Sequence, residues 1–273
     1  MTDTTEDLAE TRPRGRGMRR GLLMLLWAQI ALASLLVVND LTRDRPLPFA
    51  LPGTDRIDLP TGPVTPGDQR RTYRTDRRAP GFTAPQADPN FPLPRDLDDK
   101  LEFTLRDVEG FGRTLLVTGE ISENDGFRFK AYLDDLAEAP ETVAIHSPGG
   151  RMFEALAISR EVRDRELKTL VPPGAHCFSS CPLILAGGTE RHVSKRAAVG
   201  LHQAYYLEAP KLMPVFAAVE DIQAAQGSTM EHLIEMGVDP GVWVYALKTP
   251  PEQIYVLVED ELTETRLATT MVD

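Results

Sequence analysis

Hydrophobic and polar positions follow two alternating spacings over residues 98–273. Short apolar runs that end in turn residues predict buried strands at 114–121, 142–147 and 169–171. Between these runs, apolar residues recur every three or four positions, which predicts amphipathic helices over 127–136 and 152–167. Strands separated by helices of this length indicate βαβ crossovers. We therefore expect an α/β domain with a largely parallel sheet.

The pattern is less regular toward the carboxyl terminus. An apolar stretch predicts a short helix over 179–186, and a further strand is predicted over 193–202. Residues 212–266 have mainly helical spacing.

Residues 21–38 contain no charged side chain. As a helix they would measure about 27 Å, close to the thickness of the bilayer hydrocarbon. Five arginines lie within residues 12–20, so the positive-inside rule predicts a cytoplasmic basic tail over 1–20. We expect an uncleaved signal anchor that crosses the inner membrane once, with the rest of the chain in the periplasm. The alternatives are a signal peptide cleaved near Ala33 and a buried core helix.

The segment 39–97 separates the apolar run from the α/β pattern. Half of the 22 prolines fall within it, and it is rich in Arg and Asp. It has no sustained periodicity, so we expect a disordered linker without a packed core.

Charge and cysteine content exclude several classes of protein. The net charge is −11, and most of the excess acid lies after residue 100, which argues against a nucleic-acid partner. Two cysteines are too few for a disulfide-dense scaffold or a four-cysteine zinc site. No metal site or cofactor is expected, because no ligand motif is complete. His192 and His232 are expected at the surface.

Three local features lie where the predicted strands end. Ser147-Pro148-Gly149-Gly150 follows a strand, and paired glycines let backbone amides approach a ligand. Ser179 and Ser180 precede an apolar helix, where a serine can act as a nucleophile or simply as an N-cap. His202 ends the next strand, and histidine is the usual general base for a serine. Each feature alone also fits an ordinary structural role.

Cys177 and Cys181 flank the two serines. An oxidising periplasm would allow a disulfide between them. The tight geometry of a bridge favours two small packing residues instead, and the sequence leaves both alternatives open.

The order of these features resembles the proteolytic subunit of Clp protease and the wider ClpP/crotonase superfamily. The resemblance covers 112–203 and rests on the strand 112–120, the segment 145–150, Ser179, and His202-Gln203. It implies a ClpP/crotonase-like fold over 98–273. The Cys-x-Ser-x-Cys pattern and the amino-terminal anchor look closer still to a membrane-anchored bacterial branch of Clp-class proteins.

The resemblance implies a serine endopeptidase-like hydrolase that acts on a peptide or protein. Ser179 would attack a carbonyl carbon while His202 accepts the proton. The amides of Gly149 or Gly150 and of Ser180 would form the oxyanion hole. An ATPase partner is not expected outside the cytoplasm, and a homo-oligomer stays open.

The sequence departs from the family pattern at the third member of the triad. Thr249-Pro250-Pro251 stands near the position expected for the aspartate, which leaves Glu252, Asp239 or Asp221 to orient His202. Two alternatives therefore accompany the peptidase hypothesis. One is a catalytically inactive binding module of the same fold, and the other is an acyl-thioester enzyme of the crotonase type.

Overall fold

The computed structural model describes residues 15–42, 66–67, 69–73, 91–94, 96–204 and 215–273. Most of the predicted basic tail 1–20 and of the predicted linker 39–97 lies outside these residues. The chain divides into two units, Met1–Arg56 and Ile57–Asp273.

The first unit contains one long helix, α1 (Gly15–Thr42). Over Arg19–Val37 its mean hydropathy is 1.8, and none of this stretch is buried. The helix is long and apolar enough to cross a membrane, features that a signal sequence shares. Its exposure does not fit the alternative of a buried core helix.

The second unit alternates strands and helices. Its strands are β1 (Arg70–Thr72), β2 (Glu102–Val108), β3 (Gly112–Thr118), β4 (Thr142–His146), β5 (Lys168–Val171), β6 (His176–Phe178), β7 (Arg191–Ser194), β8 (Ala198–Leu201), β9 (Gln253–Val256) and β10 (Thr270–Val272). Its helices are α2 (Asp125–Asp134), α3 (Met152–Asp164), α4 (Cys181–Ala186), α5 (Val215–Glu235), α6 (Trp243–Leu247) and α7 (Glu259–Glu264), with a 3-10 turn at Pro240–Val242.

Six of the described strands form the larger sheet, in the order β10-β7-β5-β4-β3-β2. All neighbours in it are parallel except β2 and β3, which form an antiparallel pair. The expected α/β architecture with a largely parallel sheet is confirmed. Because parallel strands end at one edge, the loops after β4 and β5 come to the same side of the domain.

Both faces of this sheet are covered by apolar side chains. Leu115 and Val143 belong to the main core, together with Phe129 of α2 and Leu156 of α3. The neighbouring residue Leu116 faces the other way and packs in a second cluster. Continuous apolar runs in these strands therefore reflect burial on two sides.

Four described strands form a smaller sheet in the order β1-β9-β8-β6. β6 and β8 are parallel, whereas β9 runs antiparallel to β8 and to β1. The predicted single strand 193–202 is wrong in this respect, because a turn after Ser194 divides it between the two sheets. The mainly helical spacing over 212–266 also missed β9.

Part of the predicted linker belongs to the folded domain. β1 pairs with β9, with Arg71 opposite Ile254. Tyr73, the first residue after β1, is only 5% exposed. Phe91 is buried to the same extent in the second apolar cluster. The expectation of a linker without a packed core is wrong for these residues. β1 has only three residues, which are too few to show the alternation of apolar and polar positions that predicts a strand.

Candidate active site

Ser179 occupies the sharp turn between β6 and α4. Its φ is +61°, a left-handed conformation that a serine adopts only at an energetic cost. Its amide donates to the Gly200 carbonyl of β8 at 2.9 Å, which fixes the turn against the neighbouring strand. The residue is half-buried, so its hydroxyl lies at an accessible turn.

Ser180 is held differently from its neighbour. It is 5% exposed, and its Oγ donates to the carbonyl of Gly150 at 3.0 Å. Although Ser180 is the residue before α4, its side chain makes no capping hydrogen bond. The spacing along the chain did not separate the two serines, whereas this hydrogen bond leaves Ser179 as the better nucleophile.

The segment 147–150 is attached to β6. The Ser147 amide donates to the His176 carbonyl at 2.9 Å, and the Phe178 amide donates back to Ser147 at 3.1 Å. This pairing places Gly149 directly against Ser179. A Cβ on Gly149 would lie 2.5 Å from the Ser179 Cβ and 3.1 Å from its Oγ. Only glycine therefore fits beside this serine.

The two glycine amides differ in their availability. The Gly149 amide donates to Ser147 Oγ at 3.1 Å. The bridge to Ile121 uses the Gly149 carbonyl and the Arg151 amide. The amide and carbonyl of Gly150 therefore face the opposite side, where the carbonyl accepts the Ser180 hydroxyl. Of the two predicted glycine donors, Gly150 is the better placed.

His202 follows β8, the strand whose Gly200 carbonyl accepts the Ser179 amide. In the register of β6 and β8, Phe178 pairs with Gly200, so both strands end at the same edge. The His202 Nδ1 atom is 2.8 Å from the Gln203 carbonyl. Because a carbonyl can only accept, Nδ1 carries the proton and Nε2 is the basic atom.

The surroundings of His202 keep its ring neutral. Burial lowers the pKa of His202, and the Gln203 carbonyl and the Glu252 carboxylate oppose that shift. The side chain is 4% exposed. A neutral imidazole is the form that a general base requires.

The predicted orienting acids do not occupy the expected position. Glu252 is exposed and acts on His202 through its charge. The Asp239 carboxylate accepts from the Gly241 amide, and Asp221 is exposed on α5. The Nδ1 partner is instead a backbone carbonyl, that of Gln203.

The two cysteines form a disulfide, with Cα atoms 5.2 Å apart. The sequence had favoured two free packing residues, so this preference was wrong. Both residues are fully buried, and Ser179 lies in the loop that the bridge closes. The disulfide connects the end of β6 to the first turn of α4.

Other histidines are buried near the site or behind it. The His176 amide donates to His146 Nδ1 at 3.1 Å, and the two rings meet edge to face. Burial lowers the pKa of His146 to about 4. His232, expected at the surface, is fully buried, and its Nε2 lies 2.8 Å from Ser159 Oγ.

Tyr73 also belongs to the site, although no pattern in the sequence predicts it. Its ring lies 5.2 Å from the ring of His202 and 6.0 Å from that of Phe178. A single tyrosine in an arginine-rich stretch gives no signal of such a position.

No protein-family model matches the chain, and no curated protein matches it. Over the described residues 15–42, 66–67, 69–73, 91–94, 96–204 and 215–273, no three metal-ligating side chains are grouped together.

Proposed function

We propose that this protein is a serine peptidase-like hydrolase of the ClpP/crotonase type, with Ser179 as nucleophile and His202 as general base. Its substrate is a peptide or protein, bound at the edge where β6 and β8 end. α1 anchors the chain in the inner membrane, and the hydrolase domain lies in the periplasm.

The proposed reaction is acyl transfer. His202 Nε2 accepts the proton of the Ser179 hydroxyl as Oγ attacks the carbonyl carbon of the scissile bond. The amides of Gly150 and Ser180 donate to the oxyanion of the tetrahedral intermediate. His202 then returns the proton to the leaving amine. Water attacks the acyl-enzyme by the same route and releases the second product.

The conformation of Ser179 is the observation that carries this proposal. A positive φ at a non-glycine residue costs of the order of 1–3 kcal/mol and persists where the surroundings enforce it, most often at functional sites. Here Gly149 and the Gly200 carbonyl enforce it from two sides. A purely structural turn at this position would be satisfied by glycine.

A fluorophosphonate probe tests the proposal. The full chain in detergent should be labelled at Ser179, located by mass spectrometry of the peptides. Ser179→Ala should abolish labelling. Ser180→Ala serves as the matched control and should be labelled at Ser179. Absence of labelling in the folded wild type, or labelling that survives Ser179→Ala, would contradict the proposed function.

The partner of His202 favours one alternative. A backbone carbonyl on Nδ1 orients the ring but supplies no negative charge to stabilise the imidazolium. This geometry also suits an inactive binding module that retains the fold. Such a protein would bind peptides without reacting with the probe.

The proposed location has its own test. The five arginines within residues 12–20, just before the uncharged run 21–38, predict a cytoplasmic amino terminus. A reporter that is active only in the periplasm, fused after Asp273, should be active, and the same reporter fused before Met1 should be silent. A cytoplasmic reporter that works after Asp273 would overturn the proposed orientation.

A further inference from the structure

Tyr73 contacts three parts of the candidate site. Its hydroxyl donates to the Pro148 carbonyl at 2.7 Å, within the loop that carries the glycine pair. Its ring packs against the ring of His202 and meets that of Phe178 edge to face. The residue thus joins the general base, the residue before the nucleophile and the loop of the oxyanion hole.

The backbone on either side of Tyr73 is fixed to β9. The Tyr73 amide donates to the Glu252 carbonyl at 2.7 Å, and the Val256 amide donates to the Gln69 carbonyl at 2.8 Å. Residues 70–72 pair with 253–255 between these two bonds. The tyrosine is therefore held by its main chain independently of the groups that its side chain contacts.

We infer that Tyr73 is a positioning residue for the proposed hydrolase, and that residues 69–73 form a strap that holds His202 and the glycine loop in place. This inference rests on the proposed function for its catalytic meaning. Its structural content, that the Tyr73 ring sets the environment of His202, can be measured whether or not the protein hydrolyses anything.

The ring and the hydroxyl of Tyr73 have separate roles. The ring packs against the imidazole, with the ring centroids 5.2 Å apart, and so contributes to the burial that favours the neutral form of His202. The hydroxyl fixes Pro148 and with it Gly149, which lies against Ser179. The ring thus lowers the pKa of the general base, whereas the hydroxyl fixes the loop whose amide would donate to the oxyanion.

Two further groups act on the imidazole of His202. The Gln203 carbonyl accepts from Nδ1, and the Glu252 carboxylate approaches from the start of β9. Both favour the charged form of the ring. Removal of the tyrosine ring should therefore raise the pKa of His202, because the opposing effect of burial is reduced.

The experiment compares Tyr73→Phe and Tyr73→Leu in the full chain, with Tyr132→Phe as a control on α2. Two quantities are measured: the rate constant of fluorophosphonate labelling, and the pH titration of the His202 ring by nuclear magnetic resonance of labelled histidine. His202→Gln assigns the His202 signal.

Tyr73→Phe should slow labelling about tenfold, the rate equivalent of one hydrogen bond, and leave the titration of His202 unchanged. Tyr73→Leu should also raise the pKa of His202 toward its ordinary value. Tyr132→Phe should behave as wild type in both measurements.

An unchanged His202 titration in folded Tyr73→Leu would overturn the inference, as would wild-type labelling in Tyr73→Phe. If the wild type is not labelled at all, the proposed function fails. The titration then decides the inference by itself, because a raised pKa in Tyr73→Leu supports the strap and an unchanged pKa refutes it.

Discussion

At the scale of single residues, the site depends on how closely Gly149 approaches Ser179. We predict that Gly149→Ala lowers the free energy of unfolding by about 1–3 kcal/mol, because alanine is strained at a φ of +100°. The added Cβ would also displace the Ser179 side chain, so fluorophosphonate labelling should be largely lost. Urea denaturation and labelling measure the two effects.

Gly227→Ala is the matched control for this change. Gly227 lies on α5 with open space where a Cβ would be added. Alanine there should raise the free energy of unfolding by about 0.5–1 kcal/mol and leave labelling unchanged. Equal stability and equal labelling in Gly149→Ala and wild type would contradict the close packing at the nucleophile.

Glu252 tests whether the site works with two residues or three. It influences His202 through its charge, while the Gln203 carbonyl holds Nδ1. Glu252→Gln should therefore lower the pKa of His202 and change turnover of a small peptide or ester substrate only slightly. A true third member of a triad would cost about 10⁴-fold in rate when neutralised. A loss of that size in a folded variant would establish Glu252 as the orienting acid.

At the scale of elements, the disulfide closes the turn that carries Ser179 between β6 and α4. Replacement of both Cys177 and Cys181 by alanine should lower the free energy of unfolding by about 2 kcal/mol, the value that chain entropy gives for so short a loop. Urea denaturation followed by tryptophan fluorescence measures the change.

Reduction provides the control for the disulfide. A reducing agent should destabilise the wild type and leave the double alanine variant unaffected. Equal stability of reduced and oxidised wild type would show that the bridge adds nothing to the fold.

The patterns along the chain predicted the larger sheet better than the smaller one. β3, β4 and β5 are buried apolar runs, and α2 and α3 have one apolar face, so periodicity marks each of them. β1, β6 and β9 have three or four residues each, and two of them pair with strands distant in sequence. Their conformation is imposed by partners that no local pattern reveals.

At the scale of the whole molecule, buried histidines make stability depend on pH. Burial lowers the pKa of His146 and of His232 to about 4, and lowers that of His176 well below its ordinary value. In the unfolded chain these rings bind protons near pH 6.5, whereas in the folded chain the same rings stay neutral at that pH. The free energy of unfolding should therefore decrease as pH falls from about 6.5 to 4.

The measurement is the urea midpoint at a series of pH values. His232→Asn removes one of the buried rings and should lower stability at pH 7.5 but reduce the loss on acidification. His192→Asn is the control, since this ring is less deeply buried and pairs with Glu190. A pH profile of His232→Asn parallel to that of the wild type would contradict the assignment.

Several properties of this protein can be predicted from the local order of its residues. They include the apolar run of α1, the strand and helix spacing of the α/β domain, and the positions of Gly149, Ser179 and His202 at strand ends. The sequence predicts these features because burial and backbone geometry select residue types at short range. Other properties depend on contacts between segments that are distant in sequence, and these are visible only in the folded chain. The tertiary structure distinguished Ser179 from Ser180, gave His202 Nδ1 a carbonyl partner, closed the disulfide, and brought Tyr73 from a proline-rich stretch onto the site. In each case the competing groups have similar neighbours along the chain, so only their packing in three dimensions distinguishes them.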